Sequence, residues 1–448
     1  MLFNSVTYLI FLPLVFMLYW RARTQHGQNL ILLFASMVFY GWWSVPFLML
    51  MIGTCLFNYL FVRLMQTGEK CRLWLTCTLI LNFGILGVFK YFNFFAENLS
   101  QLLHLFGMMA DMPTLNIILP VGISFYTFQL SAYAIDCYRN PKMPLPSLLQ
   151  FLTFITFFPQ LVAGPIERAD NLLRQMQQHR TFDELQATEG MRLLLWGLMK
   201  KMLVADNCAF QVDFVFEHYS DLNPSTLWLG ALYFTFQIYG DFAGYSDMAV
   251  GSARLLGINI TRNFDRPYFA SSMRDFWHRW HITLMSWFRD YVYIPLGGNR
   301  KGEMRKRLNL SVVFLLSGLW HGANWTFVGW GLYHALVYRL PVRRMAFLVV
   351  MIGWVIFRAP DIASAAGYLS GMFHLQSIGM WECSRMPLLY ISLLTLTEWW
   401  MHNAEHPFQW KTTGIWSSQV LRMFIYLVVF ICTVIFGGEK TQFIYFQF

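Results

Sequence analysis

Long apolar runs separated by short polar connectors recur along almost the whole chain. Drawn from the N-terminus they cover residues 1–20, 30–43, 47–61, 73–92, 115–135 and 148–162, and, after a more polar middle, 308–320, 325–340, 345–357, 388–400 and 421–436. A helix needs about 20 predominantly apolar residues to cross the hydrocarbon core of a bilayer. On that criterion the pattern predicts an all-α, polytopic integral membrane protein with roughly ten to twelve transmembrane helices. No internal repeat, low-complexity linker or soluble domain interrupts it. Residues 1–448 therefore read as a single membrane domain, with N-terminal helices over 1–163, a polar core over 164–340, and C-terminal helices with an aromatic tail over 341–448.

Composition agrees with the pattern: 56% of the 448 residues are hydrophobic and 13% are charged, against roughly a quarter charged in a soluble domain. The first run has no basic leader and no small-residue cleavage site, so a retained helix is expected there. A net charge of +9 would suggest nucleic acid in a soluble protein. Here the basic residues occupy short loops beside apolar runs, so membrane lipid is the expected partner, with no nucleic acid. Arg21 and Arg23 follow the first run, Arg63, Lys70 and Arg72 the third, and Arg139 and Lys142 the fifth. These loops are expected in the cytoplasm, with the acidic loop near Glu97 and Asp111, and the N-terminus, outside. The seven cysteines are scattered and form neither a disulfide framework nor a metal-like cluster.

Departures from the apolar pattern mark the candidate chemistry. Residues 164–189 are too polar to span and predict a cytoplasmic loop or surface helix, and 191–204 carry Lys200 and Lys201 at the end of an apolar face, as an interfacial helix would. Within 227–251, Asp241 and Asp247 are expensive at membrane depth, so they should face the bundle interior or a cavity, as proton relays or paired with Arg254 or a backbone donor. Residues 271–299 interleave Arg274, Asp275, His278, Arg279, His281, Arg289 and Asp290 with Phe276, Trp277, Trp280, Trp287 and Phe288, a mixture that fits a re-entrant or interfacial element.

His278 and His281, three apart, would share a face if helical. They could contribute to a metal site, although no third ligand stands at a recognisable spacing, or sit in an aromatic interfacial belt. His321, Gly322, Ala323 and Asn324 break a long apolar stretch. His321 is either a helix-to-helix hydrogen-bonding residue or a reacting group; Gly322 and Ala323 permit close approach, and Asn324 is a donor able to steady an oxyanion. The cluster Arg300, Lys301, Arg305, Lys306 and Arg307 suits lipid headgroups or a nucleotide-bearing donor. The pair Gly297–Gly298 reads as a turn.

Five motifs, in this order, carry a resemblance: PVGISFY from Pro120, FPQLVAGP from Phe158, DFAGYSDM from Asp241, FWHRWHIT from Phe276 and LWHGAN from Leu319. Together they resemble the membrane-bound O-acyltransferase family, in its bacterial branch of alginate and peptidoglycan O-acetyltransferases. The resemblance implies many helices, some re-entrant, around a central catalytic funnel. It makes His321 the essential histidine, with His281 as second polar position and Asn324 beside them, and Arg300, Lys301 and Trp320 as residues toward the donor.

It also implies acetyl-CoA as acyl-donor substrate with no bound cofactor or metal, a bacterial inner-membrane location, and a periplasmic esterase-like partner that delivers the acetyl group to a polysaccharide. The tail FIYFQF looks like an aromatic C-terminal motif, making Tyr445 either an acyl relay or an interfacial anchor. Thr283 and Met285 depart from the serines expected after His281. A transporter, or transfer to lipid or protein, stays open as an alternative.

Overall fold

The computed structural model describes residues 1–68, 70–108, 112–340, 345–374, 379–401, 404–410 and 414–444, and among these every regular element is helical. The chain forms two compact units. One is Met1–Phe182 with Gly322–Asn324; the other is Asp183–His321 with Trp325–Phe448.

The first unit contains α1 (Val6–Arg21), α2 (Gln25–Gly41), α3 (Val45–Gln66), α4 (Cys71–Leu86), α5 (Phe92–Leu105), α6 (Ile123–Arg139), α7 (Leu148–Thr156) and the single turn α8 (Arg174–Met176). Side-chain caps set several starts: Ser5 accepts from the Tyr8 amide, Thr24 from Gly27, and Ser147 forms a capping box with Gln150. A π-turn, Gly87–Tyr91, joins α4 to α5, so the apolar run expected over 73–92 continues to Leu105. Two expected spans come out shorter. The run at 115–135 becomes helical only from Ile123, because Pro120 lacks an amide and disfavours helix before it, and Gly122 takes φ 76° in the turn. The run at 148–162 stops at Thr156, three residues before Pro159.

α3, with a mean hydropathy of 2.0, and the continuous Cys71–Leu105 helix, at 1.7, are each long and apolar enough to cross a membrane. α1 belongs to a shorter apolar class, and its Val6, Leu9, Ile10 and Leu14 are exposed. Inside the unit, buried polar groups couple helices. Asn58 and Asn82 exchange side-chain hydrogen bonds of 2.7 and 3.0 Å, and Asn82 reaches Ser131 at 3.2 Å, tying α3, α4 and α6 together. Buried Arg180 donates to the Tyr19 hydroxyl at 2.7 Å and to Asn29 Oδ1 at 2.8 Å, pinning the polar segment after α8 to α1 and α2.

The second unit contains α9 (Glu184–Met199), α10 (Asp206–Glu217), α11 (Pro224–Leu255), α12 (Met273–Arg279), α13 (Ile282–Phe288), α14 (Gly302–His321), α15 (Trp325–Val337), α16 (Ala346–Arg358), α17 (Ile362–Met372), α18 (Met386–Trp400) and α19 (Gln419–Ile435). α16 and α19 also fall in the shorter apolar class. α11, 32 residues long, is its axis and is buried along most of its length. α9 lies against α11 with backbones nearly touching: a Cβ on Gly197 would meet Gly244 O at 2.5 Å, and one on Gly190 would meet Gly251 O at 2.7 Å. Small residues at such crossings are the usual device of membrane helices. A π-turn, Lys200–Ala205, carries α9 into α10 and turns both lysines inward. They are 5% exposed rather than interfacial, because carboxylates of α10, α11 and α18 meet them.

Candidate active site

His281 occupies the break between α12 and α13, in left-handed backbone conformation at φ 42° and ψ 54°. Such a conformation is uncommon for any residue with a side chain and persists only where the surroundings hold it. Asn263 holds it: its carbonyl accepts from the Ile282 amide at 2.9 Å, and its Oδ1 accepts from the Thr283 hydroxyl at 2.6 Å. A serine at position 283 would supply the same hydroxyl, so the departure from the expected serine keeps this anchor.

The backbone reversal separates His278 from His281. His278 is exposed, with Nδ1 2.6 Å from the Arg274 carbonyl, while His281 is buried. The shared face expected from their three-residue spacing does not exist, because α12 ends at Arg279.

His281 meets Phe242 edge-on at a centroid distance of 4.6 Å and Trp320 at 5.8 Å. His321, the last residue of α14, is 6% exposed and touches Trp320 at 5.0 Å, Trp330 at 5.3 Å and Phe357 at 5.2 Å. Trp320 thus contacts both imidazoles, and the two histidines share one buried aromatic nest. Asn324 stands half-buried in the link between α14 and α15.

Arg300 and Lys301 are exposed at the glycine turn before α14, where Gly297, Gly298 and Gly302 all have positive φ and Asn309 donates to the Gly298 carbonyl at 2.9 Å. Trp320 lies at the other end of α14, a helix of 20 residues, or about 30 Å. The three residues expected toward the donor therefore form two locations. Tyr445 lies outside the described residues.

The sequence reading passed over His334. It is fully buried in α15 against Trp330 at 4.7 Å and Trp277 at 4.9 Å, so Trp330 stands between it and His321. Its signal was available: a histidine inside an apolar run deserves the same scrutiny as His321.

Asp241 has the backbone donor expected as one alternative, the Ile444 amide at 2.7 Å, and both carboxylates of α11 also have lysine partners that the sequence did not suggest. Asp241 pairs with Lys201 at 2.7 Å, and Lys201 also holds Asp206 at 2.8 Å. Asp247 pairs with Lys200 at 3.1 Å, which also reaches Glu398 at 3.3 Å, and Tyr239 donates to Glu398 at 2.6 Å. Arg254, the other partner expected for these aspartates, instead donates to Glu405 at 2.8 Å. It lies on the last turn of α11, beyond the reach of Asp241.

At the polar start of α9, Glu189 meets Arg192, His406 at 2.9 Å and Gln409 at 3.3 Å. Partial burial opposes its ionisation, but His406 and Arg192 outweigh that and bring its pKa down to about 2. Glu405 is likewise lowered, with burial opposed by Arg254 and Arg262.

A helical membrane scaffold enclosing buried histidines in an aromatic nest, with the five motifs in order, defines an acyltransferase of the membrane. Residues 138–383 match the membrane-bound O-acyltransferase family, and the chain belongs to it. The chain is 37% identical to a probable alginate O-acetylase of Pseudomonas putida over all of both chains. It is 40% identical to the corresponding protein of Pseudomonas aeruginosa, over 86% of this chain and 77% of that one. With a peptidoglycan O-acetyltransferase of Helicobacter pylori it shares 32% identity over 100% of this chain and 98% of the relative. It is an enzyme, an O-acyltransferase, and not the transporter that intramembrane carboxylates and a broken helix also allowed.

Proposed function

We propose that this chain takes acetyl from cytoplasmic acetyl-CoA and passes it across the bacterial inner membrane for O-acetylation of an exported polysaccharide. The observation that carries the reading is the contact of Trp320 with both His281 and His321, which puts two imidazoles in one buried nest. The relatives named for alginate and peptidoglycan acetylation support a glycan acceptor. The apolar runs support a multi-pass protein with roughly ten to twelve crossings.

A thioester is already activated, so the enzyme mainly aligns a hydroxyl, removes its proton and stabilises the oxyanion. In this reading neutral His321 accepts the hydroxyl proton as the oxygen attacks the acetyl carbonyl. His281 or Asn324 donates to the carbonyl oxygen, the C–S bond breaks, and the leaving thiolate takes the proton from His321. An imidazole, with an ordinary pKa near 6.5, suits that exchange near neutral pH. The exposed Arg300 and Lys301 would meet the anionic part of the donor or lipid headgroups. Tyr445 would carry the acetyl group transiently, and a periplasmic esterase-like transferase would place it on the sugar.

Labelled acetyl-CoA supplied to purified protein in vesicles tests the reading. Label on the protein or on an added glycan, lost in His321→Ala, is the expected result; unchanged labelling removes His321 from the chemistry, and no covalent product overturns the reading.

A further inference from the structure

The second unit contains a buried ionic cluster that the acyl-transfer chemistry does not use. Lys201, on the π-turn between α9 and α10, lies between Asp206 at 2.8 Å and Asp241 at 2.7 Å, and all three are at most 5% exposed. Taking such groups out of water is costly unless their geometry does something that apolar packing cannot.

Each member of the cluster also reaches the segment that follows α19. Thr441 donates its hydroxyl to Asp206 Oδ1 at 2.6 Å, and Lys201 Nζ lies 3.5 Å from both the Thr441 hydroxyl and its carbonyl. The Ile444 amide donates to Asp241 Oδ2 at 2.7 Å. Upstream, the Gly438 amide donates to the Met202 carbonyl at 3.1 Å, and Asn207 Nδ2 donates to the Phe436 carbonyl at 2.9 Å. Gly438 has no room for a side chain, since a Cβ there would lie 2.5 Å from the Asp206 backbone.

The segment thereby sinks into the unit. Phe443 and Ile444 are each 2% exposed, and Phe443 lies on Tyr245 at 4.9 Å and near Phe242 at 6.3 Å. Phe242 is the ring that meets His281 at 4.6 Å.

We infer that Lys201, Asp206 and Asp241 are positioning residues that seat the segment 436–444 beside the His281 nest, with Thr441 as its key. A carboxylate accepting a backbone amide fixes the chain lengthwise, which apolar contacts of Phe443 and Ile444 alone would not do, because they permit sliding. The π-turn has a reason here: it places Lys201 to reach two carboxylates on different helices. The role in turnover rests on the acyl-transfer reading; the seating itself does not.

Hydrogen exchange on the full chain in vesicles tests the inference. In Thr441→Val the amides of Gly438 and Ile444 should exchange about tenfold faster or more, the loss of a charge-assisted hydrogen bond. Amides of α9 should keep their wild-type rates, and Thr441→Ser, which retains the hydroxyl, should restore protection. Lys201→Met should release the same amides. In acetyl transfer, Thr441→Val should lower kcat and leave KM for acetyl-CoA unchanged, a split that general loosening would not produce. Unchanged exchange in Thr441→Val overturns the seating whatever the activity. Faster exchange with unchanged kcat overturns the positioning role. A wild-type chain that transfers no acetyl counts against the functional reading alone, and exchange still judges the seating.

Discussion

The two units bury polarity in different ways. The first buries the charged Glu167 and Arg180 outside its helices, while between helices its polarity is neutral: Asn58, Asn82 and Ser131 close a small hydrogen-bonded set between α3, α4 and α6. In the second, the interior of α9, α10, α11 and α18 holds Lys200 and Lys201 against Asp206, Asp241, Asp247 and Glu398, and the aromatic nest holds His281, His321 and His334. Neutral amides between membrane helices contribute modestly, because a loosened helix finds other partners. Charges and imidazoles at depth are rarer and mark function. The difference teaches where a scaffold ends and a working core begins.

The largest effect should come from the nest. His321→Ala should leave the chain folded by circular dichroism while reducing acetyl transfer about 10²–10⁴-fold, the usual worth of a positioned proton acceptor. Next, Lys201→Met leaves Asp206 and Asp241 facing each other without their shared cation, and should cost about 3–5 kcal/mol in unfolding from mixed micelles. Asn82→Ala, the matching lesion in the first unit, should cost only about 1 kcal/mol in the same assay. Equal losses would erase the contrast between the units.

A smaller effect concerns pH. Glu189 has a folded pKa of about 2 against an ordinary 4.5, so its contribution to holding residues 404–410 is complete above about 4.5 and fades as pH falls toward 2. Proteolysis of that segment should rise over this window in wild type and start higher in Glu189→Gln, with the smaller remaining rise on acidification left to Glu405 and its pairs with Arg254 and Arg262. Smallest of all, His278→Ala should change stability by less than about 0.5 kcal/mol and leave activity intact, since its side chain is exposed. A large loss there would revive a paired role for the two histidines.

The resemblance drawn from five motifs was legible because catalytic geometry constrains local sequence. His281 and His321 both contact Trp320. Other readings failed on long-range facts. Arg254 and a backbone donor were the partners expected for Asp241 and Asp247; the Ile444 amide is such a donor to Asp241, but Arg254 pairs with Glu405, and the cations for both aspartates arrive from α9 through a turn that no local pattern announces. His278 and His281 lost their common face to one left-handed residue, a conformation Asn263 imposes from 18 positions upstream.

The sequence alone determined that the chain belongs in lipid, because apolar runs of that length have no other good solvent, and its five motifs pointed to the chemical class only through their resemblance to the membrane-bound O-acyltransferases. Only the tertiary structure decided which charges neutralise which, that Trp320 joins two histidines, and that the segment after α19 is seated on Lys201 and Asp241. The reason is physical: burial and ion pairing act between groups close in space, and separations such as that from Asp241 to Ile444 are invisible to any pattern read along the chain.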